Sequence, residues 1–254
     1  MKKNAINLIM LIALAVISIG AMAQGGLTPL VNSKHTYTVT PGNAGNTFLW
    51  TVVEGVAGTD YTITNGGTAS ATILWKTAGT YTLRFTETNS LLCSTLKTAT
   101  VVVSQNTFDV STSSPTATCN SADGQANYAS ATVTTAITFT IDMTTGNTSW
   151  SPNWEFSFTL TPSSGATIAN VTASAGTLSG TSTYTVTGIP SASGARTMTI
   201  TMNVTGNIYN LHTVDFVIDS AKELTYSTPD KDSNDWTATQ TIKALPNTSS
   251  ITTD

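Results

Sequence analysis

The sequence predicts an all-β protein, two consecutive sandwich domains behind a cleaved export signal, on three observations. Apolar and aromatic residues alternate with threonine in short runs such as His35-Thr-Tyr-Thr-Val-Thr40 and Gly79-Thr-Tyr-Thr-Leu-Arg-Phe-Thr86. A period of two marks a strand with one buried face. Gly, Asn and Pro recur between these runs about every ten residues, the spacing of an antiparallel sandwich. Beyond the N-terminal apolar run, no stretch carries a helical period.

Composition narrows the function. Charged residues make up 9% of the 254 residues and the formal net charge is −4, where an ordinary soluble domain carries roughly 25% charge. Hydroxyls and amides therefore keep this surface wet, and nucleic acid, which requires a basic footprint, is excluded as a partner. Lys2 and Lys3 precede an apolar run, Ile6–Ile19, and Ala21-Met22-Ala23 then offers a small-x-small cleavage site before Gln24. Residues 1–23 read as a secretory signal peptide. The run is shorter than the ~20 residues a membrane-spanning helix needs, so the mature chain is expected to be secreted and to carry no transmembrane segment. The expected location is the periplasm, the outer cell surface or the medium.

Residues 24–104 form the first expected domain. Tyr37 and Val39 oppose Thr36 and Thr38, and Tyr81, Leu83 and Phe85 oppose Thr82 and Arg84. Phe48-Leu-Trp50 and Thr72-Ile-Leu-Trp75 supply two further runs, with turns at Pro41–Asn46 and Asn65-Gly-Gly67. The runs His35–Pro41, Phe48–Trp50 and Ala78–Leu83 resemble the PKD-like, immunoglobulin-like domains of secreted bacterial surface proteins over about residues 30–103. The resemblance implies a central-strand position against the core for Trp50. It implies that Tyr81 closes a corner by bonding the backbone through its hydroxyl. It also implies a spacer or adhesion role. The acidic signature of PKD domains is absent after Trp50, where Thr51-Val-Val-Glu-Gly55 stands, so no property of those acids carries over.

Residues 105–118, polar and centred on Ser111-Thr-Ser-Ser-Pro115, read as a linker, or as a linker running into a first strand at Phe108-Asp-Val110. Cys93 and Cys119 flank it, and an exported chain with two cysteines makes a disulfide between them a candidate. The strand between Cys93 and the linker is the geometric objection.

Residues 119–254 form the second expected domain, also a β-sandwich and immunoglobulin-like in a loose sense. Its stripes are Ile137, Phe139, Ile141 and Met143; Trp154, Phe156, Phe158 and Leu160; Met198, Ile200, Met202 and Val204; and Val214, Phe216 and Ile218.

Chemistry is sparse. His35 and His212 are the only imidazoles, each better read as structural than catalytic, and no nucleophile elbow or metalloprotease motif is present. The chain is expected not to be an enzyme and to need no cofactor. The one carboxylate cluster, Asp230-Lys-Asp-Ser-Asn-Asp235, places Asp230, Asp232, Asn234 and Asp235 as oxygen donors for Ca²⁺. Lys231 inside the loop and the missing turn glycine favour a solvated loop. Trp150, Tyr209 and Trp236, each beside a turn, are the candidate glycan-stacking platform, with scattered surface aromatics as the plain alternative.

These readings predict a structural or adhesive cell-surface protein built of immunoglobulin-like modules, with an envelope protein or glycan as partner. The alternatives are a carbohydrate-binding module and a self-associating subunit of a surface filament built through strand edges.

Overall fold

Two hydrophobic cores, each enclosed by its own pair of sheets, organise the computed structural model, which describes residues 26–43, 45–120 and 132–246. The expected signal peptide lies outside the described residues. Among the described residues the chain is all-β, and no helix is long and apolar enough to cross a membrane.

The first core lies between strands β1 (Lys34–Thr38), β4 (Ser70–Trp75) and β3 (Tyr61–Thr64) on one side, and β2 (Thr47–Val52), β5 (Gly79–Thr88) and β6 (Ser94–Val103) on the other. This three-on-three arrangement is immunoglobulin-like. The alternation read in the sequence is the burial pattern: Tyr81, Leu83 and Phe85 point inward while Thr82 and Arg84 do not. Trp50 is buried on β2, 4.8 Å from the Phe85 ring, and its indole N–H donates to the Thr68 carbonyl at 2.9 Å. The Tyr81 hydroxyl donates to the Thr77 carbonyl at 2.9 Å, four residues back.

The second core is larger. A six-stranded sheet runs in the order β12 (Thr177–Gly180), β13 (Thr183–Ile189), β10 (Trp154–Pro162), β15 (His212–Glu223), β16 (Thr237–Lys243) and β8 (Thr118–Cys119). It faces a four-stranded sheet ordered β11 (Thr167–Ala173), β14 (Ala195–Asn207), β9 (Thr132–Thr144) and β7 (Asp109–Ser113). The two longest strands, β9 and β14, pair from Thr144↔Ala195 to Thr132↔Asn207. Between the sheets, rings follow one another from Trp154 to Phe156, Phe158, Phe216 and Phe139, with centroids 4.8–5.5 Å apart. On the wet faces, hydroxyls pair across strands, Thr134 with Thr205 at 2.7 Å and Ser157 with Ser220 at 2.8 Å. Such pairs do on this surface what ion pairs do on a charged one.

The span expected as a linker carries a strand. Residues Asp109–Ser113 pair with Thr140–Thr144 of β9, and Phe108 and Val110 are fully buried in the second core. Serine and threonine give this stretch the composition of a linker, but alternate positions at Phe108, Val110 and Thr112 face inward. The passage between the sandwiches is therefore only residues 105–107. Phe108→Ala is expected to cost about 3–5 kcal/mol of unfolding free energy in urea denaturation. A cost below about 0.5 kcal/mol is what a solvated linker residue would show.

Candidate functional site

Four buried polar residues, Ser33, His35, Glu223 and Thr228, gather where the two sandwiches meet. Glu223, at the end of β15, is fully buried. A carboxylate can be buried only when its oxygens are hydrogen-bonded. The chain after it supplies the donors. Thr225 N–H donates to Oε2 at 2.7 Å, and the Tyr226 and Thr228 N–H groups donate to Oε1 at 2.8 and 2.9 Å. The Thr228 hydroxyl adds a fourth bond to Oε1 at 2.8 Å.

The loop wound around Glu223 presents Tyr226 to the first sandwich. The Tyr226 ring stacks on His35 at 4.1 Å and 18°, and its carbonyl accepts the Lys34 N–H at 2.8 Å. His35 is 1% exposed. Ser33, also buried, donates its one hydroxyl proton to the Leu30 carbonyl at 2.6 Å, so at 3.0 Å from His35 Nε2 its oxygen must accept. That assigns the Nε2–H tautomer. Burial pushes the His35 imidazole down to about 4, so the stacked ring is neutral at neutral pH. A second tie lies on the chain crossing, where Asn106 Nδ2 donates to the Pro229 carbonyl at 2.8 Å. Leu30 packs against the second core.

The acidic loop adjoins this joint. Carboxylate oxygens of Asp109, Asp230 and Asp232 lie within 4.8 Å of one another. Asp230 spends both oxygens on backbone, accepting the Val110 N–H at 2.5 Å and the Asp232 N–H at 2.8 Å. Burial pushes its carboxyl up to about 6, with the Asp109 charge adding to the rise against those hydrogen bonds. Lys231 places its ammonium 2.6 Å from Asp109 and 3.6 Å from Asp232. Of the four calcium donors read from the sequence, Asp230 and Asp232 are thus brought together. Asn234 is exposed and contributes its backbone N–H to Asp232. Burial and the Asp109 charge raise Asp235, whose carbonyl accepts the Thr112 N–H. Ca²⁺ takes six to eight oxygens. Here the cation beside the carboxylates is the loop's own lysine, and each Asp230 oxygen accepts one backbone N–H.

The three aromatics expected as a stacking platform do not share a surface. Trp150 is 6% exposed and meets Phe108 edge-on at 6.4 Å. Tyr209 follows β14 at the Asn207↔Thr132 end, whereas Trp150 follows β9 at the Thr144↔Ala195 end. Thirteen paired residues, roughly 40 Å of strand, separate the two ends. Trp236 is half-buried against the second core. Cys93 and Cys119 are exposed free thiols. The physical reason is distance, since the ten residues of β6 carry the chain roughly 30 Å from Cys93 before it enters β7. His212 is buried with Nε2 on the Asn207 carbonyl at 3.0 Å.

Asp109, Glu223 and Tyr226 carry no mark in the sequence. The only signal for Glu223 is local, an acid followed by Thr225, Ser227 and Thr228, residues that favour turns folding back on a side-chain acceptor.

No protein-family model matches this chain, and no curated protein matches its sequence. Solved structures similar to it include a PKD domain from the KIAA 1837 protein, at 18% identity and TM-score 0.26, covering 35% of this chain and 92% of that one. The C-terminal domain of the Streptococcus agalactiae AgI/II polypeptide BspA is similar at 10% identity and TM-score 0.29, over 89% of this chain and 97% of that one. The enterotoxigenic E. coli adhesin CfaE is similar at 7% identity and TM-score 0.36, over 87% and 97%. At these identities the likeness is one of β-architecture and extends to no individual residue.

His35 and Asp230 give opposite pH dependences. A histidine whose folded pKa lies below its unfolded value of 6.5 contributes stability that is full above 6.5 and lost as pH falls toward about 4. A carboxyl raised from 3.8 to about 6 contributes stability that is full below 3.8 and lost as pH rises through 6. Relative to the parent protein, Asp230→Asn should make stability rise more steeply with pH across this window, and His35→Phe should make it decline. Urea denaturation at half-unit pH steps reads both, and parallel profiles for all three proteins would show that neither group titrates there.

Proposed function

We propose that this chain is an exported, non-catalytic structural or adhesive module of the bacterial cell surface. The observation that supports it is the joint. Two sandwiches are tied by a buried stack, His35 on Tyr226, and by hydrogen bonds from Lys34 and Asn106 to the 223–229 loop. Modules joined by a short linker alone move freely relative to one another. A buried joint instead holds them at a set angle, which is what a spacer or stalk requires. Threonine-rich outer faces suit the same role, since a surface with little charge exerts little long-range field on whatever it meets. This role calls for no cofactor. A second reading, assembly through strand edges, is favoured by one observation: among the described residues no strand lies on the outer side of β6 at residues 96–100.

Protease treatment of intact host cells is expected to remove an epitope-tagged copy, and deletion of the gene to reduce attachment or cell–cell aggregation. Complementation with Asp230→Asn should restore that phenotype fully. Survival of the tag while an outer-surface control is cleaved, or an enzymatic activity abolished by one acid or histidine replacement, would overturn the reading.

A further inference from the structure

Among the described residues, one long side of the first sandwich is open. β6 is the edge of its sheet, and its last residues are already paired on the outside. Val102 and Ser104 N–H donate to the Leu27 and Pro29 carbonyls at 2.9 Å, and Val31 N–H donates to the Ser104 carbonyl at 2.9 Å. The even-numbered residues of β6 therefore aim their backbone groups outward. Leu96, Thr98 and Thr100 continue that series, and among the described residues no strand lies beside them.

Next to this edge the sandwich gapes. A slot of about 180 Å³ opens between β1 and β6, lined by Tyr37, Val39, Trp50, Phe85 and Ala99, with Lys97 on the β6 side. The slot shows a strip of core, and its volume admits one bulky apolar side chain. Gly26, whose carbonyl accepts the Tyr37 hydroxyl at 2.5 Å, brings the Leu27–Val31 segment to the same place. An edge that already takes one added segment thus runs directly into a stretch that, among the described residues, has none. Lys97 is the one formally charged residue of the lining and makes no ion pair among the described residues.

We propose that this side of the first sandwich is an acceptor for an extended strand of a partner protein, laid along β6 in line with Leu27–Val31. Alternate side chains of that strand face the slot. One is apolar and fills it; the next on the same face is a carboxylate that meets Lys97. Backbone bonds to Leu96, Thr98 and Thr100 hold the strand, and the pairing of an apolar residue with an acid two positions away selects it. Lys97 also disfavours indiscriminate pairing, because an unmatched ammonium at a sheet edge penalises neutral or basic strands. The proposal rests on the surface-module reading, but it is tested on purified protein and can fail while that reading stands.

The probe is an acetylated nine-residue peptide of threonines with isoleucine at the centre and aspartate two positions on. Titration calorimetry should give a dissociation constant on the order of 100 μM. Replacing the peptide aspartate by lysine should weaken binding at least tenfold, and Lys97→Glu in the protein should reverse that preference. Hydrogen exchange at the Thr98 and Thr100 amides should slow only when the aspartate peptide is present. Equal affinity for both peptides, or no binding at millimolar concentration, overturns the proposal. So does protection of those amides without peptide, which in a monomer would place the chain's own N-terminal residues on the edge and in a dimer a second copy.

Discussion

Everything at the waist of this molecule follows from one buried carboxylate. Glu223 has no exposed surface, and the free energy of stripping water from a carboxylate is large unless hydrogen-bond donors replace it. Three successive-turn N–H groups and one hydroxyl do so, and each bond fixes the path of the backbone that carries it. The path so fixed puts Tyr226 over His35. The joint is therefore specified from within the second sandwich, and the first sandwich needs only to offer a flat neutral ring. Burial keeps His35 neutral, and Ser33 sets which nitrogen bears the proton.

A surface with so few charges faces a second constraint. Strands with uncharged outer faces are prone to pair with other strands through their edges. In the second sandwich the edge strands are β12, β8, β11 and β7, the first three of four, two and seven residues. Beside β7, the Thr112 and Val110 N–H groups are taken by Asp235 and Asp230. The acidic loop thus covers an edge. β6 is ten residues long, and among the described residues its outer side is paired only at its end, at Val102 and Ser104.

The strands were legible because burial on one face writes a period of two, and the stripes from Ile137 to Met143 and from Met198 to Val204 alternate as buried and wet residues. What was not legible came from contacts between distant segments. The start of β7 was legible at Phe108-Asp-Val110, but its continuation is written in serine and threonine, and pairing with β9 carries it to Ser113. Trp150 stands in a loop, which suggests exposure, but that loop folds over Phe108 and buries it. Asp109 joins Asp230 from 121 positions away, a separation at which no local pattern gives warning. Tyr226 is a lone aromatic among Thr225, Ser227 and Thr228, and nothing in that neighbourhood announces a partner ring on residue 35.

The geometry of the joint also bears on how load passes through the molecule. The covalent crossing is three residues, 105–107, and by itself would act as a swivel. The His35–Tyr226 stack and the Lys34–Tyr226 hydrogen bond come from β1, whereas the Asn106–Pro229 bond comes from the crossing itself. Ties from two places, β1 and the crossing, reach the same loop, so rotation about either one strains the other. A hydrogen bond alone contributes only about 1 kcal/mol net, and an aromatic stack a similar amount. Their value here is that they must break together for the sandwiches to turn. The loop carrying both is anchored by Glu223 at the end of a twelve-residue strand central to the six-stranded sheet. Force entering at the first sandwich is therefore delivered to a strand of the second that is paired on both sides, with β10 and β16.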